Sequence, residues 1–67
     1  MEQEYRIMVI EPHTGASHVD LVFPSAYYTL KRVRDGKLFK VRMPKDRTWL
    51  QGEIVRLEEY RILAALV

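Results

Sequence analysis

Apolar and polar residues alternate from the start of the chain. Tyr5, Ile7 and Val9 recur at period two, with Arg6 and Met8 between them. Alternation in a run of β-formers predicts a strand over residues 4–10. Pro12 and Gly15 then punctuate a loop. Val19, Leu21 and Phe23 alternate with His18 and Asp20, which predicts a second strand over 18–23, antiparallel to the first.

The next segment fits two patterns. As a helix it has Ser25 at the cap, and Ala26, Leu30 and Val33 at i, i+4 and i+7, with Tyr27 on the same side. Lys31, Arg32 and Arg34 then fall in its last turns, where the helix dipole favours cations, and Gly36 supplies a left-handed stop. As a strand it has Tyr27, Tyr28, Thr29 and Val33, with Asp35-Gly36 as a type I′ hairpin turn. A two-residue turn puts Tyr28, Leu30, Phe39, Val41 and Met43 on one face. It also sets Lys31 directly opposite Lys40, which is destabilising, and places Arg32 in the apolar face. The helix over residues 26–34 carries fewer conflicts and is the expectation. The alternative is a hairpin over 26–43 in a mostly-β, barrel-like domain.

Both patterns agree further on. Phe39, Val41 and Met43 face one way, and Leu38, Lys40 and Arg42 the other. Pro44 opens a loop that Gly52 closes, and residues 53–57 read as another strand. The final stretch, "EEYRILAALV", reads as a helix. Glu58 and Glu59 sit in its first turn, where the dipole favours them. Tyr60, Leu63, Ala64 and Val67 form a stripe that Ile62 and Leu66 widen. So apolar a helix needs cover on more than one side. Its own sheet supplies some. A second copy of the chain, in a homodimer touching Ile62 and Leu66, is the alternative cover. The expected fold is α+β: one small domain over 1–67, an antiparallel sheet of about four strands, a C-terminal helix and a second short helix.

Composition narrows the setting. A chain of 67 residues makes one domain, and one so small leans on good packing or a partner. There is no cysteine, which removes disulfides and thiol chemistry and fits a reducing cytosol. Glu2 and Glu4 stand where a secretory signal carries Lys or Arg. The longest aliphatic run, "ILAALV", is far too short to span a membrane. A soluble cytoplasmic protein with no membrane partner is expected.

Charge adds the most informative feature. The net charge is +2, yet the segment "KRVRDGKLFKVRMPKDR" holds eight of the eleven Lys and Arg residues against two Asp. Residues 31–47 therefore carry a local positive field that the net figure hides.

Catalytic patterns are weak by comparison. His13, His18 and Asp20 sketch a metal site on a loop and an exposed strand face, which offers little preorganisation. Ser17 and His18 are adjacent and point to opposite faces of a strand, so they do not form a nucleophile–base pair. Glu58 and Glu59 read as a helix start, and the isolated glycines form no phosphate-cradling loop. No enzyme activity, metal or cofactor is expected. The expected function is a non-enzymatic binding module for an anionic partner, nucleic acid first. Lys31, Arg32, Arg34, Lys40, Arg42, Lys45 and Arg47 would contact phosphates, and Tyr28 or Trp49 would stack on bases or anchor the partner. The alternative is a small regulator or inhibitor whose charges engage an acidic protein surface.

Overall fold

The computed structural model describes residues 1–12 and 25–67. Among them four strands, β1 (Glu2–Pro12), β2 (Ser25–Arg32), β3 (Leu38–Pro44) and β4 (Ile54–Glu58), precede one helix, α1 (Glu59–Ala65). The strands form one sheet in the order β3-β2-β1-β4, with every neighbouring pair antiparallel. This is the expected α+β class. The strand expected over 18–23 and the group His13, Ser17, His18 and Asp20 lie outside the described residues.

The expected second helix is not formed. Residues 25–32 are strand β2, and the physical reason lies in the loop that follows. The Arg32 amide donates to the Lys37 carbonyl at 2.8 Å, and the Gly36 amide donates to the Arg32 carbonyl at 2.7 Å. Residues 33–36 thus close a loop two residues longer than a type I′ turn, and within that loop only Gly36 takes a positive φ, 74°. The longer loop slides the register by two. Lys31 now faces Leu38, and Lys40 faces Thr29, so the like-charge clash disappears. A slip of two preserves strand parity. Ala26, Tyr28, Leu30, Phe39, Val41 and Met43 therefore still share one face, and all are buried. Val33, a core position of the helix pattern, is exposed.

β1 carries a bulge. Ile7 pairs with Leu30 and Val9 with Thr29, leaving Met8 as an extra residue. Tyr5 and Ile7 are buried before it. Beyond it Val9 turns outward and Ile10 packs on the core, which corrects the strict alternation expected for Val9.

The core occupies one side of the sheet. Tyr5, Ile7, Tyr28, Leu30, Val41 and Ile62 are its largest fully buried side chains among the described residues. α1 closes it over β3 and β4, and Trp49 packs edge-on against Tyr28 with ring centroids 5.1 Å apart. After α1 the chain meets the free side of β3: the Val67 amide donates to the Lys40 carbonyl at 3.1 Å, and Leu66 bridges to Val41. Among the described residues no helix is long and apolar enough to cross a membrane.

Candidate anion-binding face

The side of the sheet opposite the core is covered by no described element, and its residues follow from strand parity. One rung runs Leu38, Lys31, Arg6, Ile54 across all four strands. The next runs Lys40, Thr29, Val9, and the one beyond it Arg42, Tyr27, Glu11. On the other flank Glu4 faces Arg56. Lys31, Lys40 and Arg42 thus share this face with Arg6, a cation from a different part of the chain.

Each cation sits differently. The Lys40 ammonium lies 3.9 Å from a Glu11 carboxylate oxygen and 5.6 Å from the centre of the Tyr27 ring. Arg42 donates from Nε to the Ser25 hydroxyl at 3.2 Å. Arg6 donates from Nη1 to the Gly52 carbonyl at 3.0 Å. Arg6, Lys31, Arg32 and Val33 line an open concavity of about 210 Å³.

The other basic residues of segment 31–47 do not join Lys31, Lys40 and Arg42. Arg32 was expected to contact phosphate. Its side chain points into the core side and is only 10 % exposed. It forks onto Asp35, Nε to Oδ1 at 2.9 Å and Nη2 to Oδ2 at 2.6 Å. Its guanidinium also stands 3.6 Å from Glu59 and 5.2 Å above the Phe39 ring. The fork holds the Asp35 carboxyl far below the usual carboxylate range, helped by the Lys37 amide. Arg32 is therefore a structural cation. Lys37 lies over the same Phe39 ring at 5.5 Å. Arg34 is exposed in the 33–36 loop.

Lys45 and Arg47 are exposed at the far end of β3. There the Asp46 amide donates to the Tyr28 hydroxyl at 3.1 Å. The Asp46 carboxylate accepts from the Thr48 amide at 2.8 Å and from its hydroxyl at 2.6 Å; these two bonds lower its pKa. Asp46 and Trp49 draw this loop toward the core side, and Lys45 and Arg47 lie beyond the last β2–β3 pair, Ser25 with Pro44, outside the rungs that carry Lys31, Lys40 and Arg42.

The aromatic and apolar assignments also change. Tyr28 is fully buried and offers no ring face to a base; Trp49 anchors the chain's own core on it. Among the described residues Tyr27 is the aromatic residue on the open face. The hairpin's alternation puts Tyr27 beside Lys31, Lys40 and Arg42, so the signal for it was present in the strand pattern. Arg6 had no such signal, because charge counted along the chain does not reveal which strand lies alongside. Ile62 is buried within the monomer, which removes it from any contact with a second copy. Leu66 is exposed while its backbone bridges to β3. The outward apolar side chains of the terminal segment are Tyr60, Leu63, Leu66 and Val67.

Glu58 and Glu59 part company, the first meeting the Met1 ammonium at 2.8 Å and the second Arg32. Among the described residues no group of His, Cys, Asp and Glu is placed to hold a metal ion. Comparison with protein-family models, with curated proteins and with solved structures finds no match for this chain.

Proposed function

We propose that this protein is a non-enzymatic binding module that takes a nucleic acid strand across the open face of its sheet. The observation that supports the reading is the placement of Arg6, Lys31, Lys40 and Arg42 around Tyr27 and Thr29 on one face that no described element covers. Cations that track a backbone beside an aromatic ring suit a single strand, whose bases are free to stack. Such contacts position the strand and carry little sequence information. Lys40 lies over Tyr27 and is long and exposed, so it can yield the ring to a base. A cysteine-free chain suits the cytoplasm as its place of work.

The test is fluorescence anisotropy with labelled single- and double-stranded oligonucleotides over a salt series. Four phosphate contacts on a single strand predict a log–log salt slope of about −3. Tyr27→Ala costs about 1–3 kcal/mol of binding if a base stacks there. Lys40→Glu with Arg42→Glu abolishes binding in a folded variant. No binding of either oligonucleotide at about 50 mM salt, where electrostatic contacts are strong, overturns the proposal.

A second reading is a small regulator that binds an acidic protein surface. The exposed Leu38 and Ile54 favour it, since they flank the Arg6–Lys31 rung and give a protein partner apolar anchors. Under that reading oligonucleotides fail to bind. Leu38→Ala and Ile54→Ala then weaken capture of the partner as strongly as the charge reversals do.

A further inference from the structure

Arg6 and Lys31 are direct partners across the β1–β2 pair, in the middle of the sheet. Like charges placed opposite each other oppose strand pairing. Among the described residues neither side chain makes an ion pair; the carboxylates of the same face are turned elsewhere, Glu2 to Arg56 and Glu11 to Lys40. Glu4 stands one rung away, opposite Arg56.

Arg6 is held in position, and Lys31 lies against the hairpin loop. Arg6 has one Nη1 hydrogen bond, to the Gly52 carbonyl, which leaves four of the five guanidinium N–H groups to donate elsewhere. The Gly52 amide in turn donates to the Ile7 carbonyl at 2.7 Å, so this acceptor is itself fixed to β1. The Lys31 stem runs along the hairpin loop, where its Cε lies 3.5 Å from the position of a Cβ on Gly36. These two residues, with Arg32 and Val33, line the concavity of about 210 Å³, several times the volume of one water molecule, about 30 Å³.

We infer that this cleft binds a single phosphoryl group, with the Arg6 fork and the Lys31 ammonium as its two cationic walls. A dianion answers the positive charges of two partnered residues, and an arginine fork matches phosphate geometry, as a lysine alone does not. The inference deepens the proposed function by naming what the strand presents at that rung, and rests on it only for the source of the phosphate. The cleft then acts as the register point of the face, and Lys40 and Arg42 follow the chain beyond it.

The experiment uses inorganic phosphate as the probe, in a ¹⁵N NMR titration at constant ionic strength with chloride as the control salt. The Arg6 Nε–H and the Lys31 and Val33 amides are expected to shift saturably with phosphate and not with chloride. Lys31→Gln removes the saturable response; it also removes the like-charge contact, so the variant stays folded with an unchanged or higher Tm. Arg6→Lys keeps the charge but loses the fork, and weakens phosphate binding by about tenfold, the scale of one charge-assisted hydrogen bond. A linear drift, or equal shifts at Lys40, Lys45 and Arg47, means diffuse screening and overturns the cleft. An oligonucleotide titration separates this outcome from the proposed function. Saturable phosphate without strand binding keeps the cleft and sinks the nucleic-acid reading. Strand binding without saturable phosphate does the reverse.

Discussion

The Arg32 guanidinium and the Asp35 carboxylate meet through two parallel hydrogen bonds, 2.9 and 2.6 Å long, and this fork closes the β2–β3 loop. It brings an arginine to the edge of an apolar core, where it also covers Phe39. Arg32 is sequestered and Asp35 is exposed, so removing the carboxylate leaves the sequestered charge short of its fork partner, whereas replacing the arginine by an apolar chain removes the problem. Asp35→Asn is therefore expected to lower Tm more than Arg32→Met does. The double variant is expected to be no worse than Asp35→Asn alone, because the two changes act on one interaction. Thermal melts of the three proteins check this order, and Arg32→Met being the most damaging would contradict it.

The same fork sets a pH dependence. Asp35 has its pKa lowered by the Arg32 bonds first and the Lys37 amide second. A carboxyl with a depressed folded-state pKa stabilises the fold above its unfolded value, about 3.9, and loses that contribution as pH falls toward the folded value. Tm is expected to be flat near neutrality and to fall steadily below about pH 4. Asp35→Asn flattens most of this acid limb. Asp46→Asn flattens a smaller part, since the Thr48 hydrogen bonds lower that carboxyl too. An acid limb that is identical in wild type and Asp35→Asn would refute the assignment.

Two buried tyrosines separate the value of a ring from that of its hydroxyl. Tyr28 accepts a hydrogen bond from the Asp46 amide. Tyr5 has a buried hydroxyl with no partner among the described residues, while its ring meets Phe39 edge-on at 6.1 Å. Tyr28→Phe strands the Asp46 amide and is expected to cost about 1–2 kcal/mol. Tyr5→Phe removes an unsatisfied group and is expected to be neutral or stabilising by up to about 1 kcal/mol. Urea unfolding of both variants measures the difference. A Tyr5→Phe cost equal to that of Tyr28→Phe would show that the Tyr5 hydroxyl is bonded.

Much of the fold is legible in local alternation, and what is not legible depends on contacts between distant segments. Phe39, Val41 and Met43 read as an inward face from sequence and are buried. Residues 26–34 read more easily as a helix because an assumed two-residue turn set Lys31 against Lys40. Two more loop residues remove the conflict without changing parity. Arg32 seemed to break the apolar face, and Asp35 three residues on is what admits it. The tetrapeptide "EYRI" makes the same point. It is strand at residues 4–7 and helix at 59–62. Tyr5 and Ile7 are buried together in the first, but only Ile62 in the second, as periods of two and 3.6 require. The candidate site was half legible. Lys31, Lys40 and Arg42 share a face on strand parity alone, but Arg6 joins them only once β1 is laid beside β2.

The phase of α1 gives the last prediction. The helix starts at Glu59, directly after β4 ends at Glu58, with no loop to let it rotate. Leu57 faces inward at the end of the strand, and the Glu59 carboxylate is turned to Arg32. These constraints bring Ile62 beneath the helix and leave Tyr60 and Leu63 outside, where an apolar stripe through Tyr60, Leu63 and Val67 would have placed them inward. Ile62→Ala is expected to cost about 2–5 kcal/mol, the usual loss for emptying a packed aliphatic site. Leu63→Ala is expected to stay within about 0.5 kcal/mol, as surface changes do. Chemical denaturation of the two variants at several protein concentrations checks both figures. Equal costs that do not change with concentration would mean that the helix is turned the other way. A Leu63→Ala cost that grows with concentration would instead show that a second copy covers Leu63.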